Sequence, residues 1–382
     1  MLVKQIHHLI DSILATSSLS AITEDVTEII PKKKLEKING DPEKSAKAFN
    51  LLYVTDVDTG ILRCKKGSKF SYLLNDATVK DKDTLARIKS LVIPPAWKNV
   101  WICLVENGHL QCTGIDAKNR KQYRYHPLWN AMRSQTKFYR LHQFGKALPA
   151  MRLQIEKDIA TQGLTRQRIL AVVVSLMERT NIRVGNSLYE KLYGSYGITT
   201  LKDKHVTLEG NKVAFSFIGK KGIKHSITLR NKKMASIVKQ CRDIPGKELF
   251  QYYDDNGDHW AVDSGMVNDY IKTISGGDYS AKDFRTWAGT VEALLAFKEL
   301  GFHDSKTEIK KTIVEALDRV SAQLGNTRSV CKKYYVHPAM LSLYEDRTLE
   351  KYTKQLDAIE KNDNKINLTS EEKLVMQILE KY

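Results

Sequence analysis

Cysteine is scarce in this sequence and scattered where it occurs. Cys64, Cys103, Cys112, Cys241 and Cys331 form an odd set with no C-x-x-C pair, so neither a disulfide framework nor a cysteine-based zinc site is expected, and a reducing compartment fits best. Long apolar runs are missing too. Nothing approaches the roughly 20 apolar residues that a membrane-spanning helix needs, and the first apolar segment is interrupted by His7, His8 and Asp11, unlike the core of a secretory signal. A soluble, cytoplasmic protein without a membrane partner is expected. Acidic residues are in deficit: Asp and Glu total 44 against 61 Lys and Arg, for a net charge of +17. That imbalance points to a polyanionic partner. The remaining composition is ordinary for a globular protein, with 42% hydrophobic and 27% charged residues in a chain of 382, long enough for two domains with their own cores.

Common catalytic signatures are absent as well. The sequence has no G-x-x-x-x-G-K-[ST], no H-E-x-x-H and no G-x-S-x-G. It also lacks the tight Asp/Glu cluster that holds Mg²⁺ in nucleases and polymerases. GKKGIK (219–224) does not have the spacing of a phosphate-cradling loop, and the acidic turn in FQYYDDNGDHWAV (250–262) lacks the terminal Glu of a calcium loop. Neither a metal nor a nucleotide cofactor is expected. A basic protein without these devices that works chemically on nucleic acid must rely on cationic side chains and a covalent nucleophile.

The patterning predicts an α+β chain. Residues 1–47 read as a variable leader, with an amphipathic helix around 3–15 and the basic run Lys32-Lys33-Lys34. Over 48–127 the runs LLYVTD, ILRCKK, FSYLL, VWICLV, HLQCTG and YRYHP alternate with turn residues and predict a small antiparallel sheet domain. From 128 to 345 a 3.6-residue period dominates, clearest over 166–193 and 306–324, and predicts a larger, mainly helical domain. Within it, HVTLEGNKVAFSFIGKKGIKHSITL (205–229) reads as a three-stranded antiparallel sheet, and 250–262 as a hairpin turned at Asn256-Gly257. Residues 346–382 form a Lys/Glu-rich tail expected to make one or two surface helices.

Four segments hold residues suited to phosphoryl chemistry: RTNIRVGNSLY (179–189), IGKKGIKH (218–225), KDFRTWAG (282–289) and LGNTRSVCKKYYVHP (324–338). Singly they are bland: Arg183 is an ordinary helical arginine, Lys220 a turn lysine, and Tyr335 one of 17 tyrosines. In order and wording, however, they closely resemble the catalytic blocks of the type IB DNA topoisomerases, particularly the compact bacterial and poxvirus-like branch. IPPAWKNVWIC (93–103), DAKNRKQYRYHP (116–127) and GITTLKDKHV (197–206) share the likeness, which spans roughly residues 48–340.

The resemblance implies a tyrosine-recombinase-like catalytic fold and an enzyme that relaxes supercoiled duplex DNA without ATP or metal. One strand is cut by a tyrosine, which keeps the 3′-phosphate and frees a 5′-hydroxyl for resealing. Tyr335 stands at the nucleophile's place, nine residues after Asn326, with Tyr334 as its competing neighbour. A phenol of pKa about 10 is scarcely ionised at neutral pH, so it needs a cationic site. Arg183 and Arg285 match the family's phosphate-clamping arginines, whose planar, permanently charged forks suit non-bridging oxygens. Lys220 matches the general acid that protonates the departing 5′-oxygen, with Lys221 and Lys224 as adjacent alternatives. Asn326 stands where poxvirus members carry histidine; its amide donates a hydrogen bond but carries no charge, which puts a histidine-dependent pH effect in doubt.

Other expectations come from the residues themselves. Gly325-Asn326 reads as a helix C-cap after 306–324, and Ser280 with Asp283 as a capping box that places Arg285 in the first turns of a helix. Lys121, Gln122, Tyr123, Arg124 and Tyr125 lie on a predicted strand that resembles the family's DNA-contacting strand. Gln122 and Tyr123 are candidates for base edges, and Lys121 and Arg124 for phosphates. The partner is double-stranded DNA, held by a monomer acting as a clamp. The rival is a tyrosine recombinase, which carries His three residues before its second arginine, where Lys282 stands here.

Overall fold

The computed structural model of the protein describes residues 41–67, 69–117, 119–358 and 366–381. The helix expected at 3–15 and the Lys32–Lys34 run lie outside them. The chain divides into two compact units, Met1–Tyr139 and Arg140–Tyr382.

The first unit opens with α1 (Pro42–Lys47), whose first turn is capped by the Asp41 side chain. Its sheet comprises β1 (Gly60–Lys66), β2 (Lys69–Leu74), β3 (Ala77–Thr78), then, after α2 (Lys82–Ser90), β4 (Lys98–Cys103), β5 (Leu110–Ile115) and β6 (Lys121–Tyr125). The order is β3-β2-β1-β4-β5-β6, every pairing antiparallel, so β6 is an edge strand. Period-2 alternation gives the sheet two apolar faces. Ile61, Val100, Ile102 and Cys112 pack with Ile88 of α2, whereas Trp101, Cys103 and Leu110 pack with Val54 and Tyr125. Arg63 ties down the IPPAW loop by donating to the carbonyls of Pro94 at 3.0 Å and Trp97 at 2.8 Å. The run at 51–56, expected as a strand, contributes a single bridge between Leu52 and Gly108. The reason is the turn that follows, where the Thr55 N–H donates to Asp58 Oδ2 at 2.6 Å and bends the chain before a ladder can extend.

The division between the units falls inside α3 (Pro127–Ala160). Next come α4 (Arg166–Thr180) and α5 (Ser187–Tyr193). The 3.6-residue period over 166–193 is carried by two helices, because Asn181, left-handed at φ 56°, ends α4 and Asn186 caps α5. The loop so created carries Arg183. The three-stranded sheet forms as expected from β7 (Val206–Glu209), β8 (Lys212–Ile218) and β9 (Lys224–Arg230), followed by α6 (Lys232–Arg242) and the hairpin β10 (Gln251–Tyr253) and β11 (His259–Ala261).

Helices complete the unit: α7 (Ser264–Ser275), α8 (Ala281–Leu300), α9 (Lys306–Leu324), α10 (Arg328–Tyr334), α11 (Pro338–Glu345), α12 (Leu349–Ala358) and α13 (Ser370–Lys381). The capping box at Ser280 and Asp283 is present, and Gly325 closes α9 in the left-handed region at φ 58°. The tail departs from expectation. Its Lys/Glu-rich composition concealed an apolar stripe, and Leu374, Val375, Ile378 and Leu379 of α13 enter the main core. Glu372 is buried with them, receiving two hydrogen bonds from Arg152, at 2.7 and 2.9 Å, and one from Trp287 Nε1 at 2.9 Å. A buried carboxylate is tolerated only with such partners, so α13 is locked to α8, the helix that bears Arg285.

Candidate active site

The helical unit brings together four of the five candidate catalytic side chains around the junction of α8, α9 and α10. Arg285 and Gly289 are four residues apart and share one face of α8. At Gly289 a Cβ would come within 2.6 Å of the Tyr335 carbonyl oxygen, so glycine is what lets the Tyr335 backbone rest on this helix. Tyr335 caps α10, its N–H bonded to the Cys331 carbonyl at 2.9 Å. Its ring centre lies 5.3 Å from the Arg285 guanidinium carbon, and its hydroxyl is a hydrogen-bond partner of Arg285. Tyr334 instead projects outward, 38% exposed, between the ammonium groups of Lys282 and Lys333.

Backbone carbonyls fix both arginines. Arg285 donates through Nη1 to the Asn181 carbonyl and through Nη2 to that of Leu324 at 2.6 Å. Arg183 Nη2 donates to the Gly325 carbonyl and to Asn326 Oδ1, each at 2.7 Å. The left-handed turn at Gly325 aims both the carbonyl and the Asn326 amide at Arg183. Because Oδ1 faces Arg183, Nδ2 points away, and it is buried without a protein partner, as is Arg285 Nε. Two donor nitrogens thus stand unused, one of them on the arginine beside Tyr335.

The electrostatics are one-sided. Among the described residues neither guanidinium pairs with a carboxylate. Burial, and then Arg285, push Arg183 down to about 10, with Tyr335 pulling the other way. Burial also lowers Arg285, again opposed by Tyr335. The Cys331 thiol, buried beside both arginines, is pushed up to about 11 by its burial. Among the described residues no carboxylate balances the two guanidiniums, an arrangement suited to an anionic ligand.

Lys220 stands apart from this group. It is exposed on the turn after β8, and its ammonium lies 5.8 Å from the Tyr189 ring centre. The turn is shaped by Lys221, left-handed at φ 63°, and closed by the Gly219 N–H donating to the Ile223 carbonyl at 2.7 Å. Lys224 is exposed too, at the start of β9.

Strand β6 does not put its five candidates on one face. Lys121, Tyr123 and Tyr125 share a face, where Lys121 pairs with Asp56 at 2.5 Å and the two tyrosine rings stack 6.0 Å apart at 9°. Gln122 and Arg124 alternate to the other face, Gln122 donating to Asp116 at 3.0 Å and Arg124 to the Val92 carbonyl at 2.7 Å.

Two residues near the chemistry went unassigned from sequence. Asn181 contributes a carbonyl, which no side-chain motif reveals. His225 sits between Gly219 and Gly325, its pKa held below the usual histidine range by burial and by Arg183 and Arg285. The available signal was its place opposite Phe217 in the β8–β9 ladder.

Comparison with known proteins gives one answer. Residues 119–363 match the eukaryotic DNA topoisomerase I catalytic core, and residues 69–116 match the N-terminal domain of bacterial DNA topoisomerase IB. A DNA topoisomerase 1B of Acanthamoeba polyphaga mimivirus is 34% identical over 296 residues, covering 75% of this chain and 88% of the viral protein. DNA topoisomerase 1B of Vaccinia virus (strain Western Reserve) is 24% identical over 240 residues, 61% of this chain and 72% of its own. The recombinase alternative is not favoured by these matches. Among the described residues no helix is long and apolar enough to cross a membrane. The chain belongs to the type IB DNA topoisomerases, isomerases that change the topology of DNA.

Proposed function

We propose that Tyr335 is the nucleophile of this topoisomerase and that Arg183, Arg285 and Asn326 clamp the scissile phosphate. The observation that carries this is the pair of buried, unused donors, Arg285 Nε and Asn326 Nδ2, the first on an arginine in contact with Tyr335 and the second on an asparagine bonded to Arg183. Non-bridging phosphate oxygens accept these hydrogen bonds, and two uncompensated guanidinium charges stabilise the pentacoordinate transition state, whose charge exceeds that of the ground state. Tyr335 Oη forms the new bond to phosphorus as the bond to the 5′-oxygen breaks. The phenolic proton passes to solvent, and Lys220 supplies a proton to the leaving oxygen, so that a 5′-hydroxyl departs rather than an alkoxide. Resealing runs the same steps backward, and superhelical torsion drives net relaxation.

The finer assignments follow from charge and edge geometry. As an edge strand, β6 presents both rows of side chains along its free border, Tyr123 and Lys121 in one row and Gln122 and Arg124 in the other. A groove that receives this edge meets Gln122 and Tyr123 at the bases, with Lys121, Arg124 and Tyr125 toward the backbone. The enzyme works as a monomer, one unit contacting the duplex through β6 and the other cutting it, in the compartment where its DNA resides. Binding weakens steeply with salt, as the release of counterions from several phosphates requires.

The test is relaxation of a supercoiled plasmid with EDTA and without ATP, stopped by denaturant and followed by peptide mapping of the DNA-linked residue. DNA on Tyr335 through a 3′-phosphate is expected, and Tyr335→Phe abolishes the adduct while retaining DNA binding. An adduct on Tyr334, or an active Tyr335→Phe enzyme, overturns the assignment.

A further inference from the structure

Lys220 presents a difficulty for the chemistry just described. A general acid must meet the leaving oxygen within hydrogen-bonding distance, yet this lysine rides an exposed turn built on glycine and left-handed backbone, whereas the phosphate clamp is buried and fixed by carbonyls. Something has to relate the two, and one side chain touches both. His225 pairs across the ladder with Phe217, the rings stacked 4.9 Å apart at 14°. The edge of the imidazole meets Gly219, the residue before Lys220, where a Cβ would fall 2.6 Å from Nε2. On its other side the ring meets Gly325, the residue before Asn326, where a Cβ would fall 2.5 Å from Cε1. Gly325 in turn accepts the Arg183 hydrogen bond at 2.7 Å.

We infer that His225 is a positioning residue for leaving-group protonation, a rigid spacer wedged between two glycines that sets the Lys220 turn against the Gly325–Asn326 segment. This rests on Lys220 being the general acid. Without the ring, Gly219 and Gly325 face a void and the turn loses its stop. Phosphate contacts persist, because Arg183 and Arg285 are held by the carbonyls of Asn181, Leu324 and Gly325, and Asn326 by Arg183, and not by the histidine. What suffers is delivery of the Lys220 proton to the 5′-oxygen as the phosphorus–oxygen bond breaks and the Tyr335–phosphorus bond forms.

Replacing that oxygen by sulfur isolates the step, since a thiolate, with a parent pKa of about 8.5 rather than that of an alcohol, leaves without a proton donor. Single-turnover adduct formation is measured for wild type, His225→Ala and Lys220→Ala on two duplexes that differ only in a 5′-bridging oxygen or sulfur at the scissile position. On oxygen, His225→Ala is expected to be slowed on the order of 10- to 100-fold, the usual consequence of a misplaced catalytic group. On sulfur it is expected to match wild type within about threefold, as proton donation is then not needed. The ratio of the two rates in one preparation is independent of the fraction folded, so loss of stability alone cannot imitate this result. Equal slowing on both substrates overturns the inference by moving the defect to the phosphate clamp, and so does an unslowed rate on oxygen. If Lys220→Ala is restored by sulfur and His225→Ala is not, the inference fails alone; if Lys220→Ala is not restored, the general-acid assignment fails and takes the inference with it.

Discussion

Strand β6 and the active site both hold cations expected to meet phosphate, and they are built in opposite ways. On and beside β6 two of the charges are paired with carboxylates, Lys121 with Asp56 at 2.5 Å and Arg120 with Asp116 at 2.6 Å, while Arg124 leans on the Val92 carbonyl at 2.7 Å. In the candidate active site Arg183 and Arg285 are oriented by carbonyl oxygens and, among the described residues, by no carboxylate. A carbonyl orients a guanidinium without cancelling its charge. An exposed ion pair is worth at most about 1 kcal/mol and exchanges readily for another anion. The first arrangement suits reversible contact along a duplex; the second keeps two buried positive charges in one geometry, at a cost in stability that a bound anion would relieve.

The sharpest way to break this contrast is at Arg285. Arg285→Ala is expected to slow adduct formation by about 10²–10³ with much smaller loss of DNA affinity. Arg285→Lys is expected to recover little, because one ammonium cannot reach the carbonyls of Asn181 and Leu324 and still present a donor where Nε stands. Single-turnover cleavage reads this directly, and a near-wild-type Arg285→Lys enzyme would show that charge matters there and the carbonyl scaffold does not. At the other pole, Lys121→Ala is expected to weaken binding and to reduce the slope of log affinity against log salt by about one phosphate contact. An unchanged slope would mean that Lys121 stays with Asp56 on DNA.

How much of this was legible beforehand depended on whether the signal was local. The three-stranded sheet at 206–230 and the caps at Ser280 and Gly325 came from patterns within a few residues, and they stand in the structure. The break at Asn181 did not, because the apolar spacing runs on through 182–193 while a single left-handed residue redirects the chain. The tail misled for the converse reason: Lys and Glu dominate its composition, yet four apolar residues and a paired Glu372 bury one side of it. Among the candidate site residues, Arg183, Lys220, Arg285, Asn326 and Tyr335 carried a motif, whereas the carbonyls that aim the arginines have no sequence signature. The wedge at His225 depends on two glycines more than a hundred positions apart, Gly219 and Gly325. A contact of that range is created by the fold and cannot be read from neighbours in the chain.

The smallest effect tests the same contrast through protons. His225 lies beside the uncompensated arginines, and burial, Arg183 and Arg285 together hold it below the usual histidine range. In the unfolded chain it titrates near pH 6.5. The folded protein therefore binds fewer protons than the unfolded one as the pH drops from about 6.5 toward the depressed folded value, and stability falls across that window. His225→Asn removes the titration. The stability of wild type relative to His225→Asn, followed by thermal melting, is expected to be at its full value above about pH 6.5 and to shrink on acidification. Were the arginines neutralised in the folded protein, as Lys121 is by Asp56, burial alone would hold the histidine down and the difference would shrink less on acidification. A difference that grew on acidification would mean that the site holds a buried anion beside His225, contrary to the uncompensated charge on which the contrast rests.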